Sequence, residues 1–262
     1  MNQQAPQTGG DGTVGKALEV LDMVAGHGRP VRFGELLARS PWPRATLYRL
    51  LQTLTNQGML TFEATAGTYA PGLRLVRLAH AAWRQTSLAP IARPYLDALS
   101  ARSGETIHLA QLARGQVLYM DKRNARHPIE MFSEAGKVGP AYCTGLGKAM
   151  LAHLPDDERA AALKLQAFHA HTATTITTPA ALEVELAQVR AEGVAYDREE
   201  HEPGIVCIAA PILAPAGRVL GALSVTSATA RKTLDDLAAL RSALVETATE
   251  IAGAAADWQF PG

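Results

Sequence analysis

The hydrophobic and polar residues of positions 33–54 follow helical spacing on either side of a break. A short amphipathic stretch ends at Ser40–Pro43. A second stretch then carries leucines at the i, i+3, i+4 and i+7 spacing of a buried stripe, namely Leu47, Leu50, Leu51 and Leu54. The pattern predicts two short helices joined by a tight corner.

The opposite face of the second helix is polar, and its side chains can reach phosphate groups and base edges: Arg44, Thr46, Tyr48, Arg49 and Gln52. Two short helices with a tight corner between them indicate a helix-turn-helix. Amphipathic helix pairs also occur as plain scaffold with a solvated polar face, so these residues alone leave both interpretations open.

The flanking segments extend this pair into a larger motif. Upstream, Thr13 is placed to cap a helix that ends near Gly26, with an apolar face of Val14, Ala17, Leu18, Leu21 and Val24. Downstream, residues 59–63 and 68–72 surround a glycine-containing turn, which predicts a hairpin. The order helix, helix, helix, hairpin is that of a winged helix-turn-helix.

The pattern changes after this hairpin. Residues 73–85 and 88–103 each predict a helix. From Thr106 onward, strand-like runs stand at both ends and helical runs stand between them: strands at 106–112, 116–121, 194–197, 205–213 and 219–226, helices at 146–153, 156–165 and 180–192, and a last helix at 233–257. This grouping predicts an α+β domain in which helices flank an antiparallel sheet.

Composition narrows the class of protein. The chain has 262 residues, of which 47% are hydrophobic, enough for one large or two modest cores. No run approaches the ~20 apolar residues of a membrane span, and residues 1–12, which lack the blocks of a signal peptide, are interpreted as a disordered tail. Cys143 and Cys207 have no Cys-x-x-Cys spacing. We expect a reduced, cytoplasmic protein.

Charge is unevenly distributed although the net charge is zero. Residues 1–86 hold nine Lys and Arg against five acidic residues, and residues 87–262 hold sixteen against twenty. A basic first third fits a nucleic-acid module joined to a part that does not bind nucleic acid. We expect Arg29, Arg32 and the Thr65–Thr68 wing to contact the DNA backbone.

Motifs in both halves resemble those of the IclR family of bacterial transcription regulators, from Thr13 to Trp258. The resemblance rests on residues 46–51 with Leu54, Gly58 and Leu60, and then on residues 104–106, 139–140, 144–152, 175–177, 189–197, 199–200 and 204–211. Ala45 departs from the Ser or Thr that is usual in the family, which puts one hydroxyl contact to phosphate in question.

The resemblance implies a GAF/PAS-like effector domain, dimers that pair into tetramers, and a small organic effector that is usually an acid. By motif position it implies effector contacts at Gly145, Leu146, Asp197, Cys207, Ser224 and Thr226. Residues 105–109 and 140–144 are closer to members that respond to sugar acids such as 2-keto-3-deoxygluconate.

The helix start within this set is suited to an anion. Thr144 can cap a helix that begins at Gly145, which would leave the amides of Gly145, Leu146 and Gly147 directed outward. The alternative is that the two glycines only permit tight helix packing.

The remaining residues offer donors and acceptors on neighbouring strands. Ser224 and Thr226 face one side of their strand, while Asp197 ends one strand and Cys207 lies in the next. A mostly apolar cavity with a few convergent polar groups is what a small-molecule site requires. Singly, each of these residues is equally compatible with ordinary packing.

Catalysis is the main alternative for the second half. Cys143 or Cys207 could act as a nucleophile with His108 or His201 as base, but neither cysteine lies in a nucleophile-elbow or papain-like motif. Metal-binding residue types occur in residues 199–202 and in the pair His169 and His171. They do not have the His-Glu-x-x-His spacing of a zinc site. We therefore predict no catalysis, no metal and no cofactor.

The features combine into one prediction, a two-domain α+β protein with a tail over residues 1–12, a winged helix-turn-helix over 13–72, a linker helix over 73–87 and an effector-binding domain over 88–258. Its predicted function is transcription regulation, with repression favoured over activation, through operator affinity that a small organic acid modulates. The predicted partners are a pseudo-palindromic double-stranded operator and further copies of the chain, as a homodimer or a dimer of dimers, with no membrane. The alternative is a ligand sensor or small-molecule enzyme that does not bind DNA.

Overall fold

The computed structural model describes residues 12–128 and 130–256. Contacts divide the chain into two compact units, with the division between Gln85 and Thr86. Each unit has its own hydrophobic core. In the part of the chain that the structure describes, no helix is both long enough and apolar enough to cross a membrane.

The first unit packs helices against a small sheet. Its elements in chain order are α1 (Gly12–Ala25), β1 (Val31–Arg32), α2 (Phe33–Arg39), α3 (Arg44–Asn56), β2 (Leu60–Glu63), β3 (Thr68–Pro71) and α4 (Leu73–Thr86). The strands are antiparallel in the order β1-β3-β2. The predicted three helices and hairpin are confirmed, and β1, which is too short to show periodicity, was not predicted.

The leucine stripe of α3 forms the centre of the first core, as predicted. It packs with buried side chains of α1, the sheet and α2: Val20, Leu21, Val24, Val31, Leu36, Leu60 and Tyr69. The prediction for α1 was wrong in part, because Val14 and Leu18 are 71% and 52% exposed. The helix also begins at Gly12, so Thr13 lies inside it rather than at its cap. Residues 1–11 of the predicted tail lie outside the described residues.

The second unit contains six strands: β4 (Thr106–Ala113), β5 (Gln116–Arg123), β6 (Val138–Gly139), β7 (Ala195–Arg198), β8 (Ile205–Leu213) and β9 (Val219–Ala228). They form one antiparallel sheet in the order β6-β5-β4-β9-β8-β7. Its helices are α5 (Ala89–Ser103), α6 (Gly145–Leu151), α7 (Asp156–Lys164), α8 (Pro179–Glu192), α9 (Leu234–Ala238) and α10 (Arg241–Ala254). The α+β architecture is confirmed, and the predicted strand and helix bounds here agree to within two residues except at the C-terminus.

The single helix predicted over residues 233–257 was wrong. Thr233 and Asp236 form a capping box at the start of α9, and the amide of Leu240 then donates to the Leu237 carbonyl at 2.9 Å. This i→i+3 bond tightens the last turn and ends α9 before α10 begins. Asp257 lies outside the described residues.

Alternation along the strands gives the sheet two distinct faces. One face is fully buried and aliphatic: Ile107, Leu109, Ile208, Leu223 and Val225. Residues between these point to the other face, where α6 packs against β7, β8 and β9. That second face carries the polar residues of the candidate site.

Candidate functional site

The polar face of α3 is open to solvent. Arg44, Tyr48, Arg49 and Gln52 are exposed and Thr46 is half-buried, while every leucine of the opposite face is buried. The helix starts directly after Pro43, whose carbonyl accepts hydrogen bonds from the amides of Thr46 and Leu47 at 3.0 and 3.1 Å. The sequence-predicted recognition residues therefore share one accessible surface.

Phe33 at the start of α2 contacts two of these side chains. The Arg44 guanidinium lies 5.6 Å from the centre of the Phe33 ring, within the range of a cation–π interaction. The Tyr48 ring meets the Phe33 ring edge-on at 6.1 Å. The helix that precedes α3 thus restrains Arg44 and Tyr48, a contact that sequence patterns did not reveal.

Arg29 and Arg32 lie next to the start of α2. The Arg29 guanidinium forms an ion pair with Glu35 at 2.5 Å, so its charge is partly neutralised. The hydrogen bonds from Arg29 and from the Arg32 amide lower the pKa of Glu35 to about 2. Arg32 itself is exposed on β1, in register with Thr68 of β3.

The wing is the turn between β2 and β3. The amide of Thr65 donates to the Glu63 carboxylate at 3.1 Å, and the amide of Gly67 donates to the Glu63 carbonyl at 2.8 Å. Gly67 has φ of +66°, which glycine adopts without strain. The wing is a short, locally bonded turn with Thr65 exposed.

In the second unit, all six residues implied as effector contacts line one cavity: Gly145, Leu146, Asp197, Cys207, Ser224 and Thr226. The cavity volume is about 30 Å³, room for about two water molecules. Their role in binding stays a prediction, but the structure brings together residues that are up to 81 positions apart in sequence.

Strand register explains this convergence. Asp197 of β7 is opposite Cys207 of β8, and Cys207 is opposite Thr226 of β9. Ser224 lies two residues before Thr226 on the same face, and the two hydroxyl oxygens are 3.2 Å apart. A row of polar side chains therefore crosses three neighbouring strands beneath the start of α6.

Close packing at the helix start requires glycine. A Cβ atom on Gly145 would lie 2.5 Å from the Cys207 sulfur, and one on Gly147 would lie 2.2 Å from the Ala141 carbonyl oxygen. The prediction that Thr144 caps this helix is confirmed, because the Gly147 amide donates to the Thr144 hydroxyl at 3.3 Å. The same bond shows that the expectation of an unpaired amide was wrong for Gly147. For Gly147, the packing interpretation is the one that the structure supports.

Asp197 is one of the two carboxylic acids among the described residues that line the cavity, and Glu202 is the other. One oxygen of Asp197 accepts the Glu200 amide at 2.8 Å, and the residue is only 7% exposed. Burial raises the pKa of Asp197 to about 7, and the negative charge of Glu200 adds to the increase. Near neutral pH this carboxyl group can therefore donate or accept a hydrogen bond.

The cavity also has a second wall that sequence analysis did not assign to it. It is formed by His108, Tyr119, Met131 and Ser133, while Thr144, His201, Glu202 and Ile205 complete the lining. His108 and His201 had been considered only as possible bases or metal ligands. Strand alternation places His108 on the face of Ser224, but only the pairing of β4 with β9 identifies them as neighbours.

The catalytic alternative is not favoured by the cysteine environments. Burial raises the pKa of Cys143 to about 12 and raises that of Cys207 as well, so both thiols are protonated and poorly nucleophilic near neutral pH. His171 stacks edge-on with His169 and His201 at ring distances of 5.0 and 4.9 Å. Among residues 12–128 and 130–256, no group of three or more His, Cys, Asp or Glu side chains could hold a metal ion.

The two units together define a class of protein: a transcription regulator with a winged helix-turn-helix and a separate ligand-binding domain. Comparisons with known proteins agree. The model of the IclR helix-turn-helix domain matches residues 13–64, and that of the bacterial transcriptional regulator IclR C-terminal domain matches residues 80–253. The chain belongs to the IclR family.

Relatives and solved structures match along nearly the whole chain. The HTH-type transcriptional regulator BhcR of Paracoccus denitrificans is 32% identical over 94% of this chain and 88% of its own length. The transcriptional repressor IclR of Escherichia coli is 29% identical over 94% and 91%. A solved IclR regulator from Silicibacter sp. TM1040 is 31% identical, with a TM-score of 0.77 over 94% of this chain and 96% of that one.

Proposed function

We propose that this protein is a transcription repressor whose operator affinity is changed by a small organic acid bound in the cavity of the second unit. The observation that carries this proposal is that all six residues implied as effector contacts, from the start of α6 and from three strands, line one cavity. Repression is favoured over activation because the Escherichia coli relative is named as a repressor.

On the DNA side, the exposed face of α3 enters the major groove. Arg44, Arg49 and Gln52 supply the donors and acceptors that read base edges and phosphates, and Thr46 and Tyr48 border them. Arg32 and the wing contact the backbone at the sides of the groove. Arg29 contributes less to DNA affinity than an unpaired arginine would, because Glu35 already neutralises part of its charge.

On the effector side, the protonated carboxyl group of Asp197 donates a hydrogen bond to the carboxylate of the effector. The hydroxyls of Ser224 and Thr226 accept or donate further hydrogen bonds, and Gly145 lets the ligand approach the backbone. The cavity is small as it stands, so a larger effector requires its walls to move apart. The effector would then bind the conformation with the opened cavity more tightly than the conformation with the small cavity, and this difference is what shifts the protein between the two.

The active species is a homodimer or a dimer of dimers. Exposed apolar side chains on two helices of the first unit support self-association: Val14 and Leu18 on α1, and Leu73, Val76 and Leu78 on α4. A two-fold dimer presents two α3 helices to half-sites about one helical turn apart on a pseudo-palindromic operator. Couplings of about 1–3 kcal/mol would then change operator affinity roughly 5- to 150-fold.

A gel-shift titration with the DNA upstream of the protein's own gene tests the proposal. Wild-type protein should shift this DNA, and a screen of organic acids by thermal unfolding should find a compound that stabilises the protein and changes the shift. Ser224→Ala should retain DNA binding and lose the response. A protein that binds a small molecule but never DNA would instead be a sensor of another kind, and turnover of the compound would identify an enzyme.

A further inference from the structure

His108 is placed inside the proposed effector cavity by strand pairing. It lies on β4 in register with Ser224 of β9, and only 2% of its surface is exposed. The side chain lines the cavity together with Tyr119 and Ser133. A ligand that fills the cavity must therefore contact the imidazole.

The imidazole is neutral at any physiological pH. Burial lowers the pKa of His108 to about 3, and the positive charge of Lys122 acts in the same direction. Lys122 of β5 is in register with His108, but its ammonium is paired with Glu134 at 2.5 Å. A neutral imidazole has one donor and one acceptor nitrogen and carries no charge. It therefore suits a hydroxyl or carbonyl oxygen of a ligand better than a negatively charged group.

The two nitrogens of His108 have unequal partners. Nε2 lies 2.8 Å from the Ser133 hydroxyl, a normal hydrogen bond. Nδ1 has only long contacts, 3.3 Å to the Thr226 hydroxyl and 3.5 Å to the Ser224 hydroxyl. A hydrogen bond from a ligand oxygen therefore stabilises the complex most at Nδ1, because there it replaces long, weak contacts.

The charges around the cavity set a limit on the ligand. Among the lining residues that the structure describes, none is Lys or Arg, whereas Asp197 and Glu202 are carboxylic acids. The buried Lys148 ammonium is already in contact with Glu185 and Glu200. A second negative charge on a ligand would be buried without a cation, which is costly.

We propose that His108 is a specificity-determining residue, which hydrogen-bonds a hydroxyl or carbonyl oxygen of the effector through Nδ1, in a cavity that accepts hydroxylated molecules with at most one negative charge. This inference rests on the proposed function of the cavity. It predicts selection for hydroxylated monoacids over unhydroxylated ones of the same length, and rejection of dicarboxylates and phosphorylated acids.

The test compares matched probes by calorimetry and thermal unfolding of the full chain. The pairs are lactate with propionate and gluconate with hexanoate, and the probes with more than one negative charge are glucarate and 6-phosphogluconate. Wild-type protein should bind at least one hydroxylated monoacid, and both probes with more than one negative charge should bind at least about tenfold more weakly. In His108→Leu, affinity for that hydroxylated probe should fall roughly 10- to 100-fold, while any affinity for its unhydroxylated counterpart stays within about threefold.

Two further variants separate recognition from folding. His108→Asn retains a donor and an acceptor and should recover part of the selectivity if His108→Leu is unstable. His127→Leu makes the same change at an exposed histidine of the same unit and should leave all affinities unchanged.

Unchanged selectivity in folded His108 variants would overturn the proposal. Tight binding of glucarate or 6-phosphogluconate would do the same, as would the failure of every hydroxylated probe to bind. None of these results affects the gel shift, so operator binding that responds to another class of compound would leave the proposed function intact.

Discussion

The buried ammonium of Lys148 contacts the carboxylate of Glu200. Lys148 belongs to α6, is fully buried, and also lies 3.0 Å from Glu185. Glu200 in turn donates its amide to Asp197 at 2.8 Å. The contact therefore ties the helix that starts at the cavity to the turn that follows Asp197 of β7.

Removing the lysine charge should destabilise the second unit. Lys148→Met leaves the buried carboxylate of Glu200 without its cation, whereas Glu185 keeps its ion pair with Arg198 at 2.9 Å. We expect the free energy of unfolding to fall by about 3–5 kcal/mol in urea titrations. Combining it with Glu200→Gln should restore part of the loss, because one uncompensated charge is removed. Equal stability of Lys148→Met and wild type would show that the pair is not coupled to folding.

The raised pKa of Asp197 predicts a pH-dependent stability. The folded chain keeps a proton on Asp197 up to about pH 7, whereas the unfolded chain releases it near the ordinary value of 3.8. The raised pKa therefore adds to the free energy of unfolding fully below pH 4, and this addition is lost as the pH rises to 7. Relative to Asp197→Asn, wild-type protein should lose on the order of 2 kcal/mol between pH 4.5 and 7.5.

Urea unfolding of both proteins across this pH range provides the measurement. Asp157→Asn serves as the control, because it removes an exposed carboxylate from α7. The interpretation fails if the wild-type and Asp197→Asn curves stay parallel over the whole range.

The arginines of α3 should contribute to DNA affinity through different contacts. Arg44→Ala and Arg49→Ala should each weaken operator binding by about tenfold. Where the arginine contacts a phosphate, the slope of log affinity against log salt should also decrease by about one. Fluorescence anisotropy at several salt concentrations measures both quantities.

Arg218→Ala is the matched control for these variants. It removes one exposed arginine from the second unit and changes the net charge by the same amount. If it weakens binding as much as Arg44→Ala and Arg49→Ala do, α3 is not the recognition helix.

The two glycines of α6 should tolerate alanine differently. In Gly145→Ala the new methyl group meets the Cys207 sulfur, so Cys207→Ala should relieve the clash and restore stability. In Gly147→Ala the methyl group meets the backbone of Ala141, which no side-chain substitution can remove. Thermal unfolding should show rescue only for Gly145→Ala, and rescue of both would contradict the packing described for Gly147.

Sequence patterns predicted the helices best where a helix has one buried stripe. The stripe of α3 was identified because its leucines repeat at i, i+3, i+4 and i+7 and all four are buried. The face of α1 was misjudged because its apolar residues cover more of the helix than the core does, which leaves Val14 and Leu18 exposed. Periodicity reports which residues can be buried, but the neighbouring elements decide which ones are.

The chain by itself determined the family and most of the order of elements, because these depend on local spacing and on motifs that keep their order. The resemblance to the family also identified six residues that line the cavity. Only the tertiary structure decided that His108 and Ser133 belong to the same cavity, that Lys148 contacts Glu200 in the turn after Asp197, and that Gly145 packs against Cys207. These relationships arise from the pairing of β4 with β9 and from the close packing of α6 on the sheet. Contacts of this kind join residues far apart in sequence, so no local pattern encodes them.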